Sequence, residues 1–231
     1  MTGMSLPALV FDLDGTLVDS APDIHVAVNR MLVGLDHPPL PLARVKGFIG
    51  NGVGVLIERV MEAQGIADTG RHGHLTETFE AHYGESPATL TVLYPDVAAV
   101  IGELHAAGHR LGVCTNKPVR LAEAVLQALG IAGYFEMVIG GDSLPVRKPD
   151  PAPLLSMERA LGGCLYVGDS EVDAETAERA GIPFLLYLGG YCRVPVTDLR
   201  YAAAFENFAE LPALVREVAA ERTGRSVTTP G

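Results

Sequence analysis

Short apolar runs alternate with amphipathic segments along most of this chain. Runs rich in β-branched or aromatic residues predict buried strands, whereas apolar residues at intervals of three and four predict helices. The predicted strands are residues 9–11, 110–114, 137–139, 165–167 and 184–187, with helices between them and a last helix at 211–218. Strands that alternate with helices favour a parallel sheet covered on both faces. The fold class is therefore predicted to be α/β, with a doubly wound, Rossmann-like core.

Residues 20–88 differ from the rest of the chain, because they show helical periodicity and no strand pattern. Ser20 precedes the first of these helices, and Asp23 three residues later predicts a capping box. An all-helical insertion directly after the first strand can lie over the strand ends as a cap. We therefore predict a catalytic core at residues 1–18 and 90–231 and a helical cap at residues 19–89.

Polar side chains gather where the predicted strands end. Asp12 and Asp14 follow the first strand, Thr115 and Asn116 follow the second, and Asp169 follows the strand at residues 165–167. In a doubly wound sheet, ligands bind in the crevice outside the carboxyl ends of the strands. These side chains are therefore expected to share one crevice.

Two carboxylates at the end of a buried strand need a partner, since desolvating a carboxylate costs several kcal/mol unless a cation or strong donors meet it. Gly15 permits a sharp turn, so that Asp12 and Asp14 can project into the same crevice. The pair therefore indicates a divalent cation bound together with a substrate. The pattern Asp-x-Asp-Gly taken alone also fits an acidic surface turn or a calcium loop.

Charge and cysteine content narrow the range of partners. The 231 residues carry a formal net charge of −11 with no basic cluster, which argues against nucleic acid and anionic membrane surfaces as partners. The three cysteines form no CxxC pair, and no segment resembles a signal peptide or a membrane span. We expect a cytoplasmic protein without disulfides.

The apolar residues of the cap fit either a core or contact with a second copy, so a homo-oligomer stays open.

Four motifs of this chain resemble, in order and position, those of the haloacid dehalogenase-like hydrolase superfamily. They are Asp12-x-Asp14-Gly15-Thr16, Thr115 at a strand end, Lys148 before Pro149, and Gly168-Asp169-Ser170 with Asp173. The helical insertion also lies where that superfamily places its cap, so the resemblance covers essentially the whole chain. Taken singly, Thr115 also fits an ordinary strand end, Lys148 a solvated loop lysine, and Asp173 an exposed carboxylate at a helix start. Their joint occurrence in this order is specific.

The resemblance implies phosphoryl transfer through a covalent intermediate. Asp12 is implied as the nucleophile that forms an aspartyl-phosphate. Asp14 is implied as the acid that protonates the leaving oxygen and then as the base that activates water. Thr115 and Lys148 are implied to hold the phosphoryl oxygens and neutralise their charge.

A cation is also implied, because a phosphate monoester dianion repels an anionic nucleophile. Mg²⁺ suits this position, since it prefers a few oxygen ligands together with waters and a substrate phosphate. The implied ligands are Asp12, Asp169 and the backbone carbonyl of Asp14. Asp173 is implied to orient Lys148 or Asp169 from behind.

Within the superfamily, the chain is most similar to the phosphoglycolate phosphatases. The similarity lies in residues 48–53, 115–118, 140–143 and 147–149, and in the Gly168-Asp169-Ser170 motif. It implies hydrolysis of 2-phosphoglycolate, a small phosphorylated carboxylate, with Thr115, Asn116 and Lys148 binding the substrate. Gly50 and Asn51, at the start of a cap helix, offer backbone N–H groups for its carboxylate. A plain turn between helices is the alternative interpretation of this loop.

Other reactions of the superfamily stay open. A phosphatase or phosphomutase acting on small sugar phosphates would share these motifs. Lys46, the only lysine of the predicted cap, is a candidate for the Schiff base of a phosphonoacetaldehyde hydrolase, or, with Arg44, for a cation that assists substrate binding. A haloacid dehalogenase is disfavoured, because it has no use for an acid at Asp14 or for a metal. A non-catalytic regulator is disfavoured, because every motif position holds the expected residue.

Overall fold

The computed structural model of the chain describes residues 6–226, with side chains through residue 221. The strands in chain order are β1 (Ala8–Phe11), β2 (Val18–Asp19), β3 (Val92–Leu93), β4 (Leu111–Cys114), β5 (Met137–Ile139), β6 (Cys164–Gly168), β7 (Phe184–Tyr187) and β8 (Ala203–Phe205). Six of them form one parallel sheet in the order β5-β4-β1-β6-β7-β8. The sheet confirms the predicted α/β fold class, and it contains all five predicted strands.

Nine α-helices accompany these strands in the described residues. They are α1 (Ala21–Val33), α2 (Leu42–Lys46), α3 (Val53–Ala63), α4 (His72–Glu85), α5 (Val97–Ala106), α6 (Val119–Ala128), α7 (Ala152–Leu161), α8 (Glu171–Ala180) and α9 (Leu211–Ser226). None of the described helices is both long and apolar enough to cross a membrane.

Alternate residues of β1 supply the two faces of the sheet, as the period of a strand requires. Leu9 and Phe11 pack into a cluster shared with α5, α6 and α9. Ala8 and Val10 pack on the other face, against apolar residues of α7 and α8. Burial on both faces explains why the run is apolar without interruption.

The position of β1 decides where the site lies. The chain leaves β1 for β4 and β5 on one side, then crosses back to β6 on the other side. Phe11 is therefore in register with Val113 of β4 and with Val167 of β6. A reversal of strand order opens a crevice at the carboxyl ends of the central strands. The residues that follow β1, β4 and β6 meet there.

Helices α1–α4 surround a hydrophobic cluster of their own, to which α6 contributes Leu121 and the loop after β7 contributes Tyr191. The cluster residues from the four helices and their connecting loops include Val28, Leu32, Ile57, Val60, Leu75 and Phe79. The division of the chain into core and cap at residues 18 and 90 stays a prediction, which this separate cluster supports.

The two crossings between the sheet and this helical group lie side by side. Strands β2 and β3 pair antiparallel, with Val18 opposite Leu93 and Asp19 opposite Val92. Each of these strands has only two residues, which is too few to show a strand pattern in the sequence, so the pair was not predicted. The same holds for β8, whose sequence Ala-Ala-Phe carries a weak strand signal.

The capping box expected for α1 is wrong. Ser20 lies before the helix but makes no side-chain cap. Its hydroxyl instead donates to Asp14 Oδ1 over 2.5 Å. Asp23 Oδ2 accepts from the backbone N–H of Leu90 over 2.9 Å, and from both the backbone N–H and the hydroxyl of Thr91 over 2.7 Å. Both side chains therefore have partners outside α1, and Asp23 ties the first crossing to the second.

We expect Asp23→Ala to lower the free energy of unfolding by about 1–3 kcal/mol, because it leaves the buried N–H and hydroxyl of Thr91 without an acceptor. Urea unfolding followed by circular dichroism measures this change. Glu103→Ala is the control, since Glu103 is an exposed acidic residue of α5. Equal stability of the two variants would contradict the role given to Asp23.

Candidate active site

The end of β1 brings two carboxylates into the crevice. The backbone N–H of Asp12 donates to Val167 O over 2.8 Å, so the pairing of β1 with β6 continues up to the first carboxylate. Gly15 has φ 90°, a conformation that favours glycine, and the chain turns there. Asp14 Oδ1 accepts from Ser20 and from Lys117, whose Nζ lies 2.9 Å away. The two aspartates thus have different partners.

Lys148 is buried and lies between two carboxylates. Its Nζ is 2.9 Å from Asp12 Oδ1 and 2.7 Å from Asp173 Oδ1. It also donates to the hydroxyl of Tyr166 over 2.8 Å, and this hydroxyl donates to Asp173 over 2.7 Å. Burial disfavours the charged lysine, but the charges of Asp12 and Asp173 outweigh burial and raise the pKa of Lys148. The ammonium is therefore charged at neutral pH.

Asp173 and Asp169 differ in how their oxygens are used. Asp173 Oδ2 accepts from the hydroxyl of Ser170 over 2.6 Å, and Oδ1 accepts from Lys148 and Tyr166. Burial alone would raise the pKa of Asp173, but Lys148 and these hydrogen bonds lower it below its usual value. Asp169 accepts one bond per oxygen, from Thr16 Oγ1 and from the backbone N–H of Tyr191. Each oxygen of Asp169 can accept a further bond.

A cavity between the sheet and the helical group contains most of the predicted site residues. Its lining residues are Asp12, Asp14, Ile24, Ile49, Gly50, Gly52, Val53, Leu56, Phe79, Tyr83, Thr115, Asn116, Lys117 and Leu121. Lys148 and Asp173 lie directly behind Asp12 through the ion pairs described above. The structure therefore brings together the residues that follow β1 and β4, and it adds residues of α1, α3 and α4 as a cover.

Two predicted substrate-binding residues have other contacts. Asn51 is not among the lining residues, and its Oδ1 accepts from Arg59 over 2.9 Å and from Arg193 over 3.0 Å. Asn116 does line the cavity, but its Nδ2 donates to Gly50 O over 3.0 Å and to Lys148 O over 2.9 Å. Asn116 therefore connects the glycine-rich loop to the loop that carries Lys148.

The sequence model of the haloacid dehalogenase-like hydrolases matches residues 6–181 of this chain, a span that holds every motif described above. This chain belongs to the haloacid dehalogenase-like hydrolases. The resemblance drawn from the four motifs is thereby confirmed. The motif residues lie at strand ends or in loops, except Asp173, which lies in the first turn of α8.

Individual members of this family agree over nearly the whole chain. A phosphoglycolate phosphatase of Cereibacter sphaeroides is 52% identical over 218 residues, which cover 93% of this chain and 100% of that protein. A phosphoglycolate phosphatase of Rhodospirillum rubrum is 44% identical over 214 residues, 88% of each chain. A crystal structure described as a predicted phosphoglycolate phosphatase from Haemophilus somnus superposes with a TM-score of 0.86 at 32% identity, covering 92% of this chain and 99% of the other.

The carboxylates of this haloacid dehalogenase-like hydrolase fit a divalent cation. Oxygens of Asp12, Asp169 and Asp173 lie within 4.8 Å of one another. Asp12 Oδ1 is buried, and apart from its ion pair with Lys148 it receives no hydrogen bond. Burial is the main cause that raises the pKa of Asp12 to about 7, and it also raises the pKa of Asp169. A cation beside Asp12 and Asp169 would favour their charged forms, whereas the oxygens of Asp173 are already engaged.

Three residues of the site were not predicted from the sequence. Lys117 lies in the segment 115–118 that carries the similarity to the phosphoglycolate phosphatases, but no role is derived for it from the sequence. Tyr166 lies in the predicted strand at residues 165–167, which gives no sign that its hydroxyl binds both Lys148 and Asp173. Tyr191 binds Asp169 through its N–H, and its hydroxyl accepts from the N–H of Ser20 over 2.9 Å. Only Lys117 carried a signal, because it follows the strand-end pair Thr115–Asn116.

We expect Gly15→Ala to weaken the binding of a divalent cation at these carboxylates and to lower stability by about 1–3 kcal/mol. A Cβ at Gly15 would lie 2.4 Å from Asp169 Oδ2, and the φ of 90° is unfavourable for alanine. Isothermal titration with Mg²⁺ and urea unfolding measure the two effects. Gly73→Ala in α4 is the control, because nothing lies within 4 Å of its added Cβ. Unchanged Mg²⁺ affinity in Gly15→Ala would contradict the close packing of Asp169.

Proposed function

We propose that this chain hydrolyses 2-phosphoglycolate to glycolate and phosphate, as a phosphoglycolate phosphatase. The observation that carries the proposal is the convergence of Asp12, Asp14 and Thr115 on one small cavity, with Lys148 ion-paired behind Asp12. The relatives in Cereibacter sphaeroides and Rhodospirillum rubrum bear this name and support it.

Asp12 is the proposed nucleophile. One of its carboxylate oxygens attacks phosphorus in line, an aspartyl-phosphate forms, and the bond from phosphorus to the leaving oxygen breaks. The side chain of Asp14 gives a proton to the leaving glycolate oxygen and then takes one from the water that hydrolyses the intermediate. Ser20 and Lys117 both bind Asp14 Oδ1, so its other oxygen is the one available for this proton.

Lys148 and Thr115 stabilise the charge of the transferring group. Lys148 is held by Asp173 and Tyr166, so its ammonium has a fixed position before substrate binds. A fixed cation in a water-poor site stabilises developing negative charge without having to reorganise. Thr115 follows β4 directly and lines the same cavity, and its hydroxyl accepts from the backbone N–H of Lys117 over 3.3 Å.

Mg²⁺ is the proposed cofactor. The residues that would hold it are Asp12, Asp169 and the backbone carbonyl of Asp14, and bound there it would supply positive charge between the nucleophile and the phosphate. Thr16 and Tyr191 fix the orientation of Asp169 through the two hydrogen bonds described above.

The alternative that uses Lys46 has no support from the contacts. Lys46 Nζ lies 4.6 Å from the ring centroid of Tyr191, and Lys46 is absent from the described lining of the cavity. A Schiff base requires the lysine amine to reach the substrate carbonyl. Phosphatases or phosphomutases that act on small sugar phosphates would use the same nucleophile and acid, so a comparison of substrates is needed to distinguish them. A cytoplasmic location stays a prediction, and the oligomeric state stays open.

Phosphate release from a panel of monoesters, with Mg²⁺ and with EDTA, tests the proposal. We expect kcat/KM for 2-phosphoglycolate to exceed the values for glucose 6-phosphate and β-glucose 1-phosphate, and EDTA to abolish turnover. Metal-dependent activity that favours a sugar phosphate would contradict the proposed substrate but not the proposed mechanism. Turnover in the presence of EDTA would contradict the proposed requirement for Mg²⁺.

A further inference from the structure

Lys117 is the only positively charged residue among the described residues that line the cavity. Its side chain is 5% exposed, and its Nζ lies 2.9 Å from Asp14 Oδ1 and 4.4 Å from the ring centroid of Tyr83. Burying an ammonium is costly unless it is paired. The steps proposed above use Asp12, Asp14, Thr115 and Lys148, so they leave this buried charge without a function toward the substrate.

The part of the cavity around Lys117 is otherwise apolar. Besides the residues already given roles, the lining consists of Ile24, Ile49, Val53, Leu56, Phe79 and Leu121, together with Tyr83 and the two glycines. One cation among apolar side chains is a suitable site for a small anionic group, because the low dielectric strengthens the attraction. Neutral substituents of a phosphate ester would leave Lys117 with no new partner.

Tyr83 supplies a second donor. It is 2% exposed and lines the cavity beside Lys117, yet its hydroxyl has no hydrogen-bond acceptor. A buried hydroxyl without a partner costs free energy, so an acceptor at this position would be stabilising. Lys117 comes from the loop after β4 and Tyr83 from α4, so the two donors approach from the core and from the predicted cap.

We propose that Lys117 and Tyr83 form the binding site for the carboxylate of the substrate, with the Lys117 ammonium as ion-pair partner and the Tyr83 hydroxyl as hydrogen-bond donor. The inference rests on the proposed function and names the residues that select a phosphorylated carboxylate. It places the carboxylate at Lys117 rather than at the backbone of Gly50 and Asn51. Lys117 also holds Asp14, so the same ammonium would contact the substrate carboxylate and the proposed acid.

The first test compares 2-phosphoglycolate with ethyl phosphate, in which a methyl group replaces the carboxylate. We expect Lys117→Met to lower the ratio of their kcat/KM values at least about tenfold, and Tyr83→Phe to lower it about two- to tenfold. Tyr94→Phe is the matched control, because the Tyr94 hydroxyl is also buried and unpartnered but lies outside the cavity lining. Its ratio should equal that of the wild type.

A purely structural role would give a different result. If Lys117 only positions Asp14, both substrates slow by the same factor and the ratio is unchanged, which overturns the carboxylate site. Tyr83→Phe leaves the ion pair of Lys117 with Asp14 in place. It therefore reports on the site even if Lys117→Met fails to fold.

The second test separates this inference from the proposed function. Isothermal titration measures the binding of 2-phosphoglycolate and ethyl phosphate to Asp12→Asn, in which we expect no turnover during the measurement. We expect tighter binding of 2-phosphoglycolate and loss of that preference in Asp12→Asn/Lys117→Met. If the wild type fails to hydrolyse 2-phosphoglycolate but this preference persists, the proposed function falls and the carboxylate site stands. No preference in Asp12→Asn would overturn the site.

Discussion

Asp12→Asn is expected to lower the rate of phosphate release at least ~10⁴-fold, because an amide oxygen does not act as the nucleophile toward phosphorus. The fold should survive the change. Asparagine has the same shape as aspartate, and burial already disfavours the charge of Asp12, as its pKa of about 7 indicates. Lys148 keeps Asp173 and Tyr166 as partners. We therefore expect a stability equal to or above that of the wild type.

The measurement is single-turnover phosphate release from 2-phosphoglycolate, with urea unfolding of the same preparations. Asp198→Asn is the matched control, since Asp198 is an exposed aspartate in the loop after β7. This variant should keep the activity and the stability of the wild type. Residual turnover above about 1% of the wild-type rate would contradict the assignment of the nucleophile. A large loss of stability would show that Asp12 is needed for the fold, and the loss of activity could then not be assigned to the nucleophile.

Lys148→Met is expected to abolish activity and to destabilise the fold by about 3–5 kcal/mol, because it removes the cation from between buried carboxylates. Asp12 and Asp173 would face each other without compensation, and Tyr166 would lose the donor to its hydroxyl. The rate should fall at least about 10³-fold, since Lys148 is also the proposed stabiliser of phosphoryl charge.

Urea unfolding of Lys148→Met and of Lys148→Met/Asp12→Asn separates the two effects. The double variant should regain part of the lost stability, because one of the two uncompensated carboxylates is gone, while its activity stays absent. Lys46→Met, which changes a lysine outside the cavity lining, is the control for loss of a lysine charge. A Lys148→Met protein as stable as the wild type would contradict the ion-pair arrangement.

The sequence carried enough information for the sheet and for the residues at its strand ends. The apolar run of β1 is buried on both faces, so its composition and the carboxylates that end it are local signals. Thr115 and Asp169 were predicted in the same way, since a parallel sheet brings all its carboxyl ends to one edge. These inferences need only the order of strands and residues.

The features that the sequence did not reveal depend on contacts between distant positions. Asp23 binds Thr91, 68 residues later, and Tyr191 binds Ser20, 171 residues earlier. No spacing rule links such pairs. The expected role of Asn51 had the same weakness, because a glycine-rich turn indicates accessible N–H groups but not that Arg59 and Arg193 engage the side chain.

The pairing of β2 with β3 gives the chain a modular construction. Because Val18 lies directly opposite Leu93 in this pair, the long segment between them leaves and rejoins the rest of the protein at a single place, as a hairpin loop does. Its length and sequence can change by duplication, deletion or exchange without altering the order of the six parallel strands. Asp12, Lys148 and Asp169 lie outside that segment, whereas Tyr83 lies within it. The contribution of Tyr83 to substrate choice can therefore evolve, or be engineered, separately from the reaction chemistry, whereas that of Lys117 stays with the residues at the strand ends.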